Sequence, residues 1–241
     1  MKTLVAALFL LCVSESWALT PLTVAFSLDK PPYVIRDTGT GLEVEILHLI
    51  FHEMGYDLNP VFQPPTRSVR SLELGRVDAM ATITNAPQFA LSAPYVTFRN
   101  FAWTLKRKNL PIKTLADLAK YRIIAFQNAR SFLGTEFEKS VGKNPNYQEY
   151  ADQNRQIKML LTDRTDVVIC EERTFQINRR AIASESGVLL PEIEKHALFN
   201  ESKYSVAFRN PKLRDSFNEA LFKLQSHNAF DKIYKKYASK L

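Results

Sequence analysis

The sequence predicts a two-lobed α/β fold in which each lobe is a mostly parallel sheet flanked by helices. Short apolar runs alternate with segments of helical spacing in the order strand, helix, strand, helix, strand, and this order occurs twice. Two separate segments, LELGRVDAM (72–80) and LLTDRTDVV (160–168), also share a leucine, a turn residue, an arginine, an aspartate and an apolar run. Each is interpreted as a helix that turns tightly into a central strand, once per lobe.

The elements of the first lobe follow from runs of apolar residues and their spacing. LTVAF reads as a buried strand, and the segment after Gly41 has apolar residues at helical spacing and closes at Gly55. A second strand, a second helix and a third strand complete the unit. The predicted elements are strand 22–26, helix 42–54, strand 58–62, helix 67–74 and strand 77–83.

The second lobe repeats this order after an extended aromatic stretch. A short helix leads into the buried strand RIIAF, and further helices and strands alternate behind it. The predicted elements are helix 113–121, strand 122–126, helix 131–139, an extended piece at 146–150, helix 152–161, strand 165–170 and helix 171–183.

Two extended segments are predicted to link the lobes, at 96–109 and at 202–210. Because the chain crosses twice, its last two helices should return to the first lobe, one opened by Pro211 and the two separated near His227 and Asn228. The predicted divisions are a signal peptide at 1–18, the first part of the first lobe at 19–102, the second lobe at 103–203, and the return segment of the first lobe at 204–241.

The first 18 residues are predicted to be a cleaved secretory signal. Lys2 precedes a short apolar run at 4–13, and small residues flank a cleavage point after Ala18. An exported protein is expected, and its single remaining cysteine, Cys170, excludes an intramolecular disulfide. The net charge is +7, but the sequence has no basic stripe with interleaved aromatic residues, so no nucleic-acid partner is expected. A monomer is expected.

Six segments together resemble the bacterial extracellular solute-binding proteins of family 3, the receptors of ABC-type polar amino acid importers. The resemblance implies a periplasmic-binding-protein type II fold, whose two lobes close on a small polar solute. It further implies an ABC permease or a sensor receptor as the protein partner. The segments are LTVAFSLDKPPYV (22–34), GLEVEI (41–46), LELGRVDAMATIT (72–84), LSAPYV (91–96), AFQNARS (125–131) and DKIYKKY (231–237).

The resemblance also implies roles for individual residues. Tyr33 matches an aromatic residue that packs on the solute, and Thr82 and Thr84 match hydroxyl-bearing positions at a strand end. Glu171 matches the acidic residue that binds the solute ammonium. Each also has an ordinary structural interpretation, as a loop tyrosine, as strand residues and as a helix cap.

The family's carboxylate-binding arginine has no counterpart here, because Thr84 is followed by Asn85, Ala86 and Pro87. Two arginines are candidates to replace it. Arg67 follows two prolines on the same rim, and Arg130 opens a helix of the second lobe beside Ser131. Arg67, Arg130 and Ser131 are therefore predicted to contact an anionic group.

A binding protein without catalysis is the favoured function, and the alternative is a periplasmic enzyme such as a cyclohexadienyl-type dehydratase. The resemblance places the catalytic glutamate of those enzymes near Thr174, so Glu171 would have to act from one turn earlier. No cofactor is expected. No metal site is expected either, because His48 and His52 lack a third ligand.

Overall fold

The computed structural model describes residues 19–238, and the predicted signal segment lies outside these residues. The chain folds into two α/β lobes, as the sequence predicts. In the described residues, none of the helices combines the length and apolar character needed to cross a bilayer.

The first lobe is built from the two ends of the chain around one six-stranded sheet. Helices α1 and α7 pack against each other on this sheet, and α8 closes over α1. The strands are β1 Thr20–Phe26, β2 Tyr56–Phe62, β3 Ala79–Ile83, β4 Ala90–Leu91, β5 Val96–Phe98 and β11 Ser202–Phe208. The helices are α1 Leu42–Glu53, α2 Pro65–Glu73, α7 Pro211–Ser226 and α8 Asp231–Ala238.

The second lobe is built from the middle of the chain around a five-stranded sheet. The predicted short helix is a 3-10 helix at Leu115–Lys120. The strands are β6 Asn100–Leu105, β7 Ile123–Phe126, β8 Tyr147–Tyr150, β9 Val167–Glu171 and β10 Ile193–His196. The helices are α3 Ala129–Phe132, α4 Thr135–Val141, α5 Gln153–Leu161 and α6 Glu172–Ser186.

The two sheets share one topology. In each, three parallel strands have the first of the trio in the middle, giving β2-β1-β3 in one lobe and β8-β7-β9 in the other. In each, the strand beside the third member is antiparallel and belongs to a crossover segment, β11 in the first lobe and β6 in the second. The carboxyl ends of both trios therefore lie beside the crossovers. Open α/β sheets bind ligands at the carboxyl ends of their strands.

Two details of the predicted elements are corrected. The predicted helix 131–139 is two helices, α3 and α4, separated at Gly134, whose φ of 91° lies outside the helical range. The short edge strands β4 and β10 were not predicted, because two and four residues give too little periodicity to detect.

The two echoed segments form the same structure. In both, a fully buried leucine at the helix end, Leu72 or Leu160, is followed by a turn residue with positive φ, 67° at Gly75 and 60° at Asp163. The aspartate then forms hydrogen bonds with the backbone of the neighbouring strand. Asp78 pairs with the backbone of Thr23 at 2.8 Å, and Asp166 pairs with that of Arg122 at 3.0 Å. The sequence repetition thus records a structural repetition.

The surroundings of the two aspartates differ, which provides a matched pair for a stability measurement. Asp166 also accepts from the Arg122 guanidinium at 2.9 and 3.0 Å and from Lys108 at 2.6 Å. These bonds, from Arg122 foremost, hold the pKa of Asp166 well below its usual range against the effect of burial. The Asp78 carboxylate accepts only from the Thr23 amide among the described residues.

We expect Asp166→Asn to lower the free energy of unfolding by about 2 to 3 kcal/mol at pH 7, and Asp78→Asn by about 1 kcal/mol or less. A carboxyl whose pKa is depressed by folding stabilises at pH above its unfolded value of about 4, and that stability is lost as the pH falls. Urea unfolding at pH 7 and at about pH 2.5 should therefore show a smaller acid-induced loss of the free energy of unfolding in Asp166→Asn than in the native protein. Equal losses for the two variants at pH 7 would contradict this account.

Candidate functional site

The loop between β1 and α1 carries the first residues of the site. The backbone of Lys30 exchanges hydrogen bonds with Val34 at 2.9 and 3.0 Å, and its carbonyl also accepts from Tyr33 at 2.8 Å. The first helical amides are bound by this loop, since Glu43 N donates to Tyr33 O at 3.0 Å. Gly41, with a φ of 134°, allows this close approach. Lys30, Tyr33 and Glu43 are thereby held at the carboxyl end of β1.

Three aromatic rings surround the Lys30 ammonium. Its Nζ lies 3.7 Å from the centroid of the Phe98 ring, 5.6 Å from that of Tyr33 and 6.0 Å from that of Tyr204. Phe98 is the central ring, 4.2 Å from Tyr33 and 4.6 Å from Tyr204 between centroids. Phe98 and Tyr204 belong to β5 and β11, paired strands that lie within the two crossovers. Such ring faces attract a cation, and we call these three rings the aromatic cage.

Glu43 is a fully buried carboxylate at the start of α1. Its Oε2 accepts from the Thr82 hydroxyl and from the Tyr95 hydroxyl, the latter at 2.7 Å. Its Oε1 is buried and has no hydrogen-bond partner in the described part of the chain. Thr82 reaches this position with a φ of 60°, a strained value for a β-branched residue. The carboxylate therefore retains one free acceptor oxygen.

Glu171 supplies a second buried carboxylate, from the second lobe. It is 5% exposed and ends β9, where its Oε2 accepts from the Thr174 amide at 2.9 Å and caps α6. Its Oε1 and the Thr174 hydroxyl have no hydrogen-bond partner among the described residues. The cap fixes the side chain, and the second oxygen remains available to a ligand.

A contact between the lobes closes one side of this cluster. Arg173, in the first turn of α6, donates to the Tyr33 hydroxyl at 3.3 Å. Its guanidinium also lies 5.8 Å from the ring centroid of Tyr234 on α8 of the first lobe. Tyr33 is therefore fully buried, between Phe98 and Arg173.

The pKa directions show that these groups form one electrostatic cluster across the lobes. Burial lowers the pKa of Lys30, and the charges of Glu43 and Glu171 oppose that effect. Burial raises the pKa of Glu43, opposed by Lys30 and by the two hydroxyl bonds. Burial and then the charge of Glu171 raise the pKa of Tyr33, which the charge of Arg173 opposes. One lysine therefore interacts with carboxylates from both lobes.

Of the residues predicted to bind the solute, Tyr33, Thr82 and Glu171 lie in this cluster. The hydroxyl proton of Thr82 is committed to Glu43. Arg67, Thr84 and Ser131 are exposed and form no side-chain hydrogen bond within residues 19–238.

Arg130 is held by its own lobe. Its guanidinium pairs with Glu149 at 3.8 Å and is half exposed. Glu149 also accepts from the amides of Asn128 at 2.7 Å and Arg130 at 3.1 Å. The amides at the start of α3, which were expected to face an anionic group of the solute, are therefore bound to a carboxylate of the protein. The bonds from Tyr147 and from these amides hold the pKa of Glu149 below its usual range, against the effect of burial.

Two depressions elsewhere on the surface are lined by residues outside this cluster. Both lie on the first lobe, lined by residues such as Glu53, Lys223 and Asn210. Glu53 and Lys223 are already paired with each other. Within the described residues there is no group of three or more histidine, cysteine or acidic side chains placed to hold a metal ion.

The fold agrees with a known family. A family model, Bacterial extracellular solute-binding proteins, family 3, matches residues 22–240. The chain belongs to this family. This solute-binding protein is also 24% identical over 229 residues to the arginine-binding extracellular protein ArtP of Bacillus subtilis, covering 90% of this chain and 85% of ArtP.

Solved structures show the same fold. The ligand-binding core of GluR0 in complex with L-glutamate matches with a TM-score of 0.72 at 12% identity, covering 91% of this chain and 99% of that one. A histidine kinase sensor domain similar to periplasmic binding proteins matches with a TM-score of 0.68 at 18% identity, covering 91% and 96%.

Sequence reasoning missed several members of the cluster, namely Lys30, Glu43, Tyr95, Phe98, Arg173 and Tyr204. A signal for Glu43 was present. It lies four residues before Leu47 and seven before Ile50, on the apolar stripe of α1, whereas Glu45 lies off that stripe. An acidic residue on a buried helix face indicates a bound partner.

Proposed function

We propose that the cleft between the lobes binds a small zwitterionic solute of the amino acid type. The observation that carries the proposal is the pair of buried carboxylates, Glu43 and Glu171, which come from opposite lobes and each keep one buried oxygen without a partner. An ammonium group has three donors that can satisfy such oxygens, and the Thr174 hydroxyl provides a further acceptor.

The aromatic cage supports the same ligand class. Polar solute sites combine apolar or aromatic walls with a few well-placed charged groups. Tyr33 and Phe98 form such walls beside charged side chains of both signs, namely Lys30, Glu43, Glu171 and Arg173. Because a zwitterion carries no net charge, its binding adds no net charge to this group of two cations and two carboxylates.

We further propose that binding serves ABC-type import or sensing after export to the periplasm, and that no chemistry follows. The family match supports a receptor role, and both a transport-type relative and a sensor domain share the fold. Against a dehydratase, Thr174 has a hydroxyl where the resemblance places the acid of those enzymes, and its amide is bound to Glu171.

The proposal is tested by a thermal-shift screen of residues 19–241 against the standard amino acids, polyamines and small dicarboxylates, followed by calorimetry. A ligand that binds the folded state raises the unfolding midpoint according to RT ln(1 + [L]/Kd). We expect one or more amino acids to bind. Shifts with only polyamines or dicarboxylates would contradict a zwitterionic solute.

We expect Glu171→Gln to weaken binding of that amino acid on the order of 30-fold or more, because a buried ammonium would lose its charged partner. Glutamine keeps an oxygen that can cap the Thr174 amide, so the fold should persist. Glu185→Gln is the matched control, since Glu185 is 62% exposed and pairs with Lys158 on the outer side of α6. Equal affinities for Glu171→Gln and native protein would refute this assignment.

A further inference from the structure

A zwitterionic solute also carries a carboxylate, which needs a hydrogen-bonded cation when it is removed from water. The cluster contains two cations. Arg173 donates to the Tyr33 hydroxyl and packs on Tyr234, so part of its guanidinium is already engaged. Among the described residues, the Lys30 ammonium has no hydrogen-bond acceptor and no carboxylate within 4.0 Å.

The position of Lys30 suits a contact with a solute. Its backbone is fixed by the hydrogen bonds to Val34 and Tyr33, so the side chain is projected from a rigid turn. Its ammonium lies on the Phe98 ring at 3.7 Å, and the charges of Glu43 and Glu171, which are expected to meet the solute ammonium, act on it. A ring face attracts a cation without using its N–H donors, so all three remain available.

We propose that Lys30 binds the carboxylate of the solute and thereby selects for solutes that carry one. This inference rests on the proposed function, because it assigns the second charged group of the same zwitterion. The surrounding rings make the environment of the ammonium less polar than water, and a charge-assisted hydrogen bond is stronger in such surroundings. Lys30 therefore takes the role that the sequence had suggested for Arg67 or Arg130, both of which are exposed.

The test compares free amino acids with their α-carboxamides, which keep the ammonium and remove the carboxylate charge. The probes are L-arginine, L-glutamine and L-glutamate and the corresponding amides, measured by calorimetry on native protein, Lys30→Met and Lys30→Arg. For a free amino acid that binds, Lys30→Met should lower the affinity on the order of 30-fold or more. The affinity for its amide should change less than about threefold, and Lys30→Arg should restore part of the preference for the acid.

The controls separate this role from a structural one. Lys212→Met, at an exposed lysine in the first turn of α7, should leave every affinity unchanged. If Lys30→Met does not fold, Lys30→Gln replaces it. An unchanged acid-to-amide ratio would overturn the inference while leaving the proposed function intact. Tighter binding of L-arginine by Lys30→Met would also overturn it, by showing that Lys30 competes with the solute cation. Failure of every standard amino acid to bind native protein would overturn the proposed function itself, and this inference with it.

Discussion

Gly41→Ala is expected to lower the free energy of unfolding by about 4 kcal/mol or more, which is exceptional for a single substitution. A Cβ at this position would lie 2.2 Å from the Tyr33 carbonyl oxygen and 2.9 Å from the Val34 Cα. Both are backbone atoms, so no side chain can rotate away. The φ of 134° is a further barrier to any residue with a Cβ.

The same substitution should remove solute binding. The collision can be relieved only by moving the loop away from α1, which breaks the bonds from Leu42 N to Pro32 O and from Glu43 N to Tyr33 O. That movement displaces two walls of the cleft at once. Urea unfolding and calorimetry with the amino acid identified in the screen measure the two effects.

Gly39→Ala is the matched control in the same loop. Gly39 also has positive φ, 62°, but a Cβ there would have no heavy atom within 4 Å. We expect a loss of about 1 kcal/mol from the left-handed conformation alone, with solute affinity retained. Similar losses for the two variants would show that conformation, and not the contact with Tyr33, determines the effect at Gly41.

The sequence allowed the architecture to be predicted because the evidence for it is local. Apolar periodicity located the strands of both trios, and the echoed segments identified the repeated turn from helix to strand. Where the local signal was weak, the prediction was wrong, as at Gly134, where one predicted helix is two.

The site was harder to predict because its contacts join distant parts of the chain. The resemblance suggested a ligand role for Glu171 because this residue follows the second-lobe strand, and that position can be recognised from the local sequence. The contact between Arg173 and Tyr33 spans 140 residues and depends on how the lobes meet. Lys30 stood four residues after a predicted strand, but only the packing of Phe98 and Tyr204 from the crossovers shows that its ammonium lies among these rings.

Trp103→Ala is expected to cost about 3 to 5 kcal/mol, the range for removing a buried aromatic side chain. Trp103 is 1% exposed, and its ring stacks on Phe175 at 4.0 Å with an interplanar angle of 4°. Its indole N–H donates to the Cys170 carbonyl at 3.0 Å, one residue before Glu171. The side chain therefore joins β6, β9 and α6, the three elements that position Glu171.

Trp103→Phe separates the two contributions, because phenylalanine keeps a ring against Phe175 and removes only the N–H bond and part of the volume. We expect it to cost about 1 to 2 kcal/mol. Because Trp103 is the only tryptophan after residue 18, unfolding of both variants should be followed by circular dichroism. In hydrogen exchange, the amides of β9 in Trp103→Ala should lose protection at a lower urea concentration than the amides of the first lobe. A cost below about 1 kcal/mol for Trp103→Ala would show that the second lobe fills this cavity by relaxation, and that Trp103 does not hold Glu171 in place.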